Sequence, residues 1–232
     1  MKIVKMENGS PEIYKAVQGE GLSLGMACIF VRFFGCTLDC TWCDTDYSKR
    51  GEFIDMEKID VAKKILEETN GGKIKRIIFT GGEPTLYQND ILSIMKELKK
   101  VDSDWYFEVE TNGTVEFNNE FLTKIDRINC SPKLSDSGNV IQKRYKPDVL
   151  TQIADIGSFK FVTDGNDDEI KEIKKIIKEC KIPETSIMLM PKGDNSAEVV
   201  KNSRKIIDIV VEEGWKVTTR LHILLFEKKR GV

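Results

Sequence analysis

Three cysteines stand within eight residues, Cys36, Cys40 and Cys43, in the run Gly35-Cys36-Thr37-Leu38-Asp39-Cys40-Thr41-Trp42-Cys43. Soft thiolates select iron–sulfur clusters or zinc, and so short a C-x3-C-x2-C loop can wrap three corners of a cubane and leave one iron open. A structural zinc site wants a fourth Cys or His. His222 is the one histidine of the sequence, and Cys28, Cys130 and Cys180 have no paired spacing, so zinc is the weaker reading. Those three isolated cysteines read as core thiols. Six cysteines in 232 residues, three of them in one loop, do not make a disulfide framework and favour metal or redox chemistry.

Something must hold such a loop. Apolar or alternating runs predict strands at Ala27 to Phe34, Arg76 to Thr80, Trp105 to Glu110, Arg127 to Cys130, Ser158 to Thr163, Ser186 to Met190 and Trp215 to Leu221. Helical spacing lies between them. Met56, Ile59, Ala62 and Leu66 share one face, as do Ile91, Met95 and Leu98, then Ile170, Ile173 and Ile177, with a further helix through Val199, Ile206 and Val210. Asp55, Asn89 or Asp90, and Asp167 stand where N-caps are expected. Strands alternating with helices predict an α/β fold with a parallel sheet and right-handed crossovers; about six βα units suit an open partial (β/α)6 barrel, a flat doubly wound sheet being the alternative. Either fold puts chemistry at the carboxyl ends of the strands. The cysteine loop directly follows the first predicted strand of that set.

Composition narrows the classes. Hydrophobic residues make up 40% and charged residues 32%, and the formal net charge is −2, which gives no polyanion-binding signature and no nucleic-acid partner. The basic stretch Lys171 to Lys178 is interleaved with acidic residues as on a solvated helix face. No run of about 18 apolar residues indicates a membrane span, and Met1 to Pro11 lacks the apolar centre of an export signal; the expectation is a cytoplasmic protein. No linker is evident, the polar stretch Ser135 to Tyr145 being the longest predicted loop, so residues 1–232 are expected to form one domain.

The cysteine loop, with an aromatic before its last cysteine and Thr80-Gly81-Gly82-Glu83-Pro84 after the next strand, resembles the radical S-adenosylmethionine (SAM) superfamily. Further segments resemble the 7-carboxy-7-deazaguanine synthase family within it. They are Val17-Gln18-Gly19-Glu20-Gly21, Phe30-Val31-Arg32, Cys43-Asp44-Thr45, Glu110-Thr111-Asn112-Gly113-Thr114, Ser131-Pro132-Lys133, and the C-terminal Leu221-His222-Ile223-Leu224-Leu225 with Lys229-Arg230-Gly231-Val232. The resemblance spans the chain. It implies a single radical SAM domain that converts 6-carboxy-5,6,7,8-tetrahydropterin to 7-carboxy-7-deazaguanine with release of ammonia, using a [4Fe–4S] cluster, SAM and Mg2+. It implies that a 5′-deoxyadenosyl radical takes hydrogen from C6 of the pterin and later returns one, so that SAM is not consumed. A flavodoxin or ferredoxin-type reductant and a homodimer are also implied.

Residue by residue, the resemblance makes Cys36, Cys40 and Cys43 the cluster ligands and Thr45 the protein ligand of magnesium, a hydroxyl suited to a hard cation. It assigns Val17, Gln18, Gly19, Arg32, Thr80, His222 and Val232 to the pterin. It assigns Trp42, Cys43, Asp44, Gly82, Ser131, Pro132 and Lys133 to SAM, with Met188 to Pro191, and Pro191 in particular, beside the adenine. Arg32 offers a bidentate fork for the pterin carboxylate; taken alone it reads equally as a surface strand arginine. Glu83 is expected to meet the SAM ammonium, and Glu110 is left open between function and a plain ion pair. No protein acid or base is assigned, since the cluster and SAM carry the chemistry.

Two segments depart from the family pattern. Phe226-Glu227 stands where Trp-Gly is common, and methionines occupy the late strand where a glutamine is common. The competing readings are another short radical SAM enzyme such as a glycyl-radical activase, which commonly has histidine or asparagine after the last cysteine where this chain has Asp44-Thr45, and a non-catalytic iron–sulfur or zinc protein, which needs no Thr80–Pro84 or Ser131–Lys133 motif.

Overall fold

Period-two alternation along the strands sorts side chains onto two faces of a sheet, and that sorting organises the protein. The computed structural model describes residues 1–45, 47–227 and 229–231. In chain order, β1 (Lys2–Val4), β2 (Ile13–Val17) and β3 (Ala27–Phe33) precede a short α1 (Tyr47–Arg50) and β4 (Phe53–Asp55). Then come α2 (Lys58–Glu68), β5 (Arg76–Gly81), α3 (Gln88–Val101), β6 (Tyr106–Thr111), α4 (Asn119–Lys124) and β7 (Arg127–Cys130). The chain continues through α5 (Ile141–Arg144), α6 (Pro147–Gln152), β8 (Gly157–Thr163), α7 (Asp167–Glu179), β9 (Ile187–Pro191), α8 (Ser196–Glu213), β10 (Lys216–Val217) and α9 (Leu221–Phe226).

The described strands form one sheet in the order β10-β9-β8-β7-β6-β5-β3-β1-β4, with β2 also on β3. From β3 to β10 every neighbouring pair is parallel, whereas β1, β2 and β4 join antiparallel. The order runs from β10 to β4 without returning on itself, so the architecture is an open, parallel-rich α/β sheet of partial-barrel type. All seven predicted strands of the parallel series are present. The last is shorter than expected: β10 ends at Val217, and Leu221 opens α9. The sequence reading did not predict β1, β2 or β4, which are short strands of three to five residues at the antiparallel end of the sheet; β2 and β4 are part-exposed and weakly patterned.

One face of the parallel series is apolar. Ile29, Val31 and Phe33 of β3, Ile77 and Phe79 of β5, Phe107 and Val109 of β6, Phe159 and Phe161 of β8 and Ile187 and Leu189 of β9 all belong to one core cluster. Helices cover that face. Buried Val61, Ala62 and Ile65 of α2, Ile91, Ile94, Met95 and Leu98 of α3, Ile173 and Ile176 of α7 and Val199, Ile206 and Val210 of α8 carry the contact. Ile59, expected on the buried face of α2, is exposed; Val61 and Ile65 take the core positions. Cys28, Cys130 and Cys180 are fully buried core thiols. The opposite face carries Arg32, Thr80, Glu110, Asn129 and Lys160, which line a cavity.

Helix starts differ from expectation in each case. Asp55 pairs with Lys2 in the sheet instead of capping α2. Asn89 and Asp90 lie inside α3, because a 3-10 turn at Pro84–Tyr87 runs straight into that helix. The α7 cap is Asn166, one residue before Asp167, whose side chain accepts the Glu169 N–H at 3.0 Å. Ser135 to Tyr145 contains a 3-10 turn at Ser135–Ser137 and α5.

Phe79 is fully buried between Phe33 and Phe107, with ring centroids 6.2 and 6.1 Å away. Phe79→Ala is expected to cost about 3–5 kcal/mol of stability, the usual consequence of emptying an aromatic core position; the midpoint of urea unfolding measures it.

Candidate active site

The cysteine loop leaves β3 at its carboxyl end and is seated on the end of β5. Gly82 N–H donates to Phe33 O at 3.1 Å and Glu83 N–H to Gly35 O at 2.8 Å. A side chain on either glycine would prevent this: a Cβ on Gly82 would lie 2.1 Å from Gly35 O, and Gly81 has φ 133° with a Cβ position 2.1 Å from Phe33 O. The glycine pair thus lets two strand ends meet. Glu83, expected at SAM, lies within the protein. It is fully buried and its carboxylate accepts from Thr85 N, Thr85 Oγ1 and Thr111 Oγ1 at 3.1, 2.6 and 2.8 Å and from Asn112 N at 2.7 Å. Burial pushes its carboxyl up, against those four donors. It braces β5 against β6.

A cavity of about 650 Å3 opens over the strand ends, within the range of small-molecule sites. Cys36, Cys40 and Cys43 line it together with Val17, Gln18, Gly19, Arg32, Trp42, Asp44, Thr45, Thr80, Gly82, Ser131, Lys133 and His222. Of the expected SAM contacts, Pro132 and Pro191 are buried at their strand ends; their neighbours Ser131, Lys133, Met190 and Lys192 face the cavity instead. At Pro191, the last residue of β9, strand alternation explains this, since adjacent residues point to opposite faces. Val232 lies outside the described residues.

The polar face is tightly wired. Gln18 Nε2 donates to Glu110 at 2.9 Å, Thr80 Oγ1 donates to the same carboxylate at 2.8 Å, and Glu20 N–H donates to Gln18 Oε1 at 3.1 Å. Arg32 Nε pairs with fully buried Glu12 at 2.8 Å, and Arg230 reaches the other Glu12 oxygen at 2.7 Å, which brings the C-terminal segment to the cavity rim. Gly19 has no room for a side chain, because a Cβ there would lie 2.5 Å from His222 Nδ1.

Four charged residues of the site were missed as individual assignments: Glu12, Glu20, Lys160 and Arg220. Glu20 lay inside a quoted motif, and Lys160 is an inward position in a wholly buried strand, where a lysine needs a partner. Lys160 pairs with Glu20, Arg220 pairs with Asp44, Arg220 Nε is 3.5 Å from Glu20, and His222 Nε2 is 3.9 Å from it. Burial alone would raise the Glu20 pKa, but Lys160, His222 and Arg220 together hold it well below the usual carboxylate range. Burial keeps His222 below its ordinary value, hence neutral near neutral pH.

The Radical SAM superfamily model matches residues 30–206; fold and site define a radical SAM enzyme, and the chain belongs to that superfamily. It is 33% identical over 227 residues to a 7-carboxy-7-deazaguanine synthase of Pyrobaculum aerophilum, covering 95% of each chain, and 29% identical over 215 residues to one of Rickettsia prowazekii, covering 92% of this chain and 86% of that one. Within the superfamily the chain therefore belongs to the 7-carboxy-7-deazaguanine synthase family. The crystal structure of QueE from Escherichia coli shares the fold, with a TM-score of 0.67 at 20% identity over 95% of this chain and 94% of that one. The enzyme accordingly uses a [4Fe–4S] cluster, SAM and Mg2+.

The residues present fit these groups. Three thiols from one loop face the cavity, and N–H donors point at two of the sulfurs: Leu38 N and Asn112 Nδ2 at Cys36, Asn139 Nδ2 at Cys40. Burial raises the Cys36 and Cys40 thiols, so ligation must displace their protons. The buried indole N–H of Trp42 has no partner among the described residues. An unmet buried donor costs about 1–3 kcal/mol, so it suits a bound acceptor such as SAM. Thr45 stands beside an oxygen-rich corner where Glu20, Asp44 and His222 bring donor atoms within 4.8 Å of one another. Since Lys160 and Arg220 already balance those carboxylates, the corner suits an ion with few protein ligands that keeps its waters, as Mg2+ does.

A depressed carboxylate stabilises the fold above its unfolded pKa, here about 4.5, and that stability is lost as pH falls toward the folded value. Thermal unfolding followed between pH 7 and 3 should therefore show the wild-type Tm dropping once the pH passes below that value. Glu20→Gln should start lower at pH 7 and drop less.

Proposed function

We propose that this enzyme converts 6-carboxy-5,6,7,8-tetrahydropterin to 7-carboxy-7-deazaguanine with release of ammonia, for 7-deazapurine synthesis of the queuosine or archaeosine type. The observation that carries the reading is one cavity that joins three loop thiols to the Arg32, Gln18–Glu110–Thr80 and Glu20–Lys160 groups of the strand ends. Relatives named 7-carboxy-7-deazaguanine synthase, matched over nearly the whole chain, support it.

When bound at Cys36, Cys40 and Cys43, the cluster with SAM supplies reductive cleavage to a 5′-deoxyadenosyl radical able to take hydrogen from the pterin. The chain's own residues bind and orient. Arg32 supplies a guanidinium for the substrate carboxylate, with Glu12 fixing its Nε. Gln18 has its amide orientation set by Glu110 on one side and the Glu20 N–H on the other, so it presents a fixed donor–acceptor edge to a pterin that needs both. The Glu110 and Glu20 carboxylates line the same cavity and offer acceptors to the N–H-rich edge of such a ring, and Lys160 keeps the second of them ionised. Neutral His222 closes the wall beside Gly19, and Val17, Thr80 and Val232 complete the pterin set. Trp42, Cys43, Asp44, Gly82, Ser131 and Lys133 make up the SAM side, with Met190 and Lys192 in the place first given to Pro191. Thr45 gives a hydroxyl to Mg2+.

One continuous sheet supports reading the chain as a single domain. Among the described residues no helix is long and apolar enough to cross a membrane, which supports a cytoplasmic enzyme. A flavodoxin or ferredoxin-type reductant is the expected electron donor, and a homodimer is the expected assembly.

Anaerobically reconstituted protein, incubated with reductant, SAM, Mg2+ and the carboxypterin, should yield 7-carboxy-7-deazaguanine by mass spectrometry, and Cys36→Ala should yield none. SAM cleavage without that product would keep the radical enzyme and reject this substrate.

A further inference from the structure

Two asparagine amides reach the cysteine sulfurs from outside the cysteine loop. Asn139, on the segment after β7, donates from Nδ2 to Cys40 Sγ at 3.3 Å and to Ser137 O and Oγ, each at 3.3 Å, while its Oδ1 accepts the Asp39 N–H at 2.8 Å. Asn112, 6% exposed, donates from Nδ2 to Cys36 Sγ at 3.6 Å and to Thr37 Oγ1 at 3.1 Å. Its Oδ1 accepts from Thr114 N and Oγ1 at 3.1 and 2.6 Å. Each amide is oriented by a backbone N–H that only an acceptor can meet, so in each the NH2 end must face sulfur. The supporting loops are fixed as well. Thr41 N–H donates to Ser137 O at 3.0 Å, Gly138 sits at φ 76° with no room for a Cβ against Thr41 Cγ2, and Glu83 holds the Asn112 N–H.

Hydrogen bonds to cluster sulfurs are among the determinants of reduction potential. A donor draws negative charge from the thiolate and so favours the state with one more electron. We propose that Asn139 and Asn112 are positioning residues that raise the reduction potential of the cluster through Cys40 and Cys36. The inference rests on the assignment of Cys36, Cys40 and Cys43 as cluster ligands, and it fails separately: iron and sulfide content tests the ligands, the potential tests the asparagines.

The test uses reconstituted wild type, Asn139→Asp, Asn139→Leu and Asn112→Asp, each assayed for iron and sulfide. They are titrated with titanium(III) citrate without SAM or pterin, the reduced cluster being read by EPR. At a fixed poise the reduced-to-oxidised ratio should fall about tenfold in each aspartate variant, which is about 59 mV for one electron, and fall less in Asn139→Leu. Pulsed EPR on reduced wild type carrying side-chain 15N-asparagine should show asparagine nitrogen coupled to the cluster. An unshifted potential in variants with full cluster content overturns the proposal. Should the variants lose their cluster, the absence of that coupling in wild type overturns it equally.

Discussion

The meeting of two strand ends is the constraint on which the rest of the site depends. Where β5 ends, Gly81 and Gly82 let the backbone press against Phe33 and Gly35 closely enough for hydrogen bonds of 3.1 and 2.8 Å. Immediately after them, buried Glu83 ties the same turn to Thr111 and Asn112 at the end of β6. Three consecutive strands of the parallel sheet are thereby locked in height at their carboxyl ends. The cysteine loop has no regular secondary structure from Phe34 to Thr45, so its position is inherited from this seat and from the loop after β7, through Thr41–Ser137 and Asp39–Asn139.

A second consequence follows from the two-faced sheet. One face is given wholly to aliphatic and aromatic packing under helices, which secures the fold and frees the other face to carry charge. Buried charges are costly unless paired, and here each carboxylate has its cations: Glu20 with Lys160 and Arg220, Glu12 with Arg32 and Arg230, Glu108 with Arg76. The result is a polar, preorganised surface that holds its side chains in fixed rotamers before any ligand arrives. Such a surface suits a planar, multiply hydrogen-bonding, carboxylate-bearing substrate.

Much of this was legible in the sequence because parallel strands are apolar, punctuated and followed by their functional loops. Ala27–Phe33, Gly157–Thr163 and Ile187–Pro191 fall within a residue or so of expectation, and most motif residues converge on the cavity. What escaped has physical reasons. Strands β1 and β4 are only three residues long and β2 and β4 are part-exposed, so none offers a full apolar run. Pro132, Pro191 and Glu83 were assigned from motif neighbourhood; Pro191 alternates away from the cavity at the end of β9, Pro132 is buried between two cavity-facing residues of the loop after β7, and Glu83 is drawn into bonds with Thr85, Thr111 and Asn112. The partners of Glu20 and Glu12 lie up to 218 residues away in the chain, and no local pattern announces a pair at that separation. Asn139 was invisible for the same reason: its sulfur partner is 99 residues distant.

The central claim is that three thiols of one loop hold a cluster whose remaining iron is open to SAM. Reconstituted, reduced protein mixed with SAM carrying 17O in its carboxylate should show a strong 17O coupling to the cluster in electron–nuclear double resonance. A cluster that forms at full stoichiometry yet shows no such coupling would contradict the account, leaving an iron–sulfur protein without the open iron on which the proposed chemistry relies.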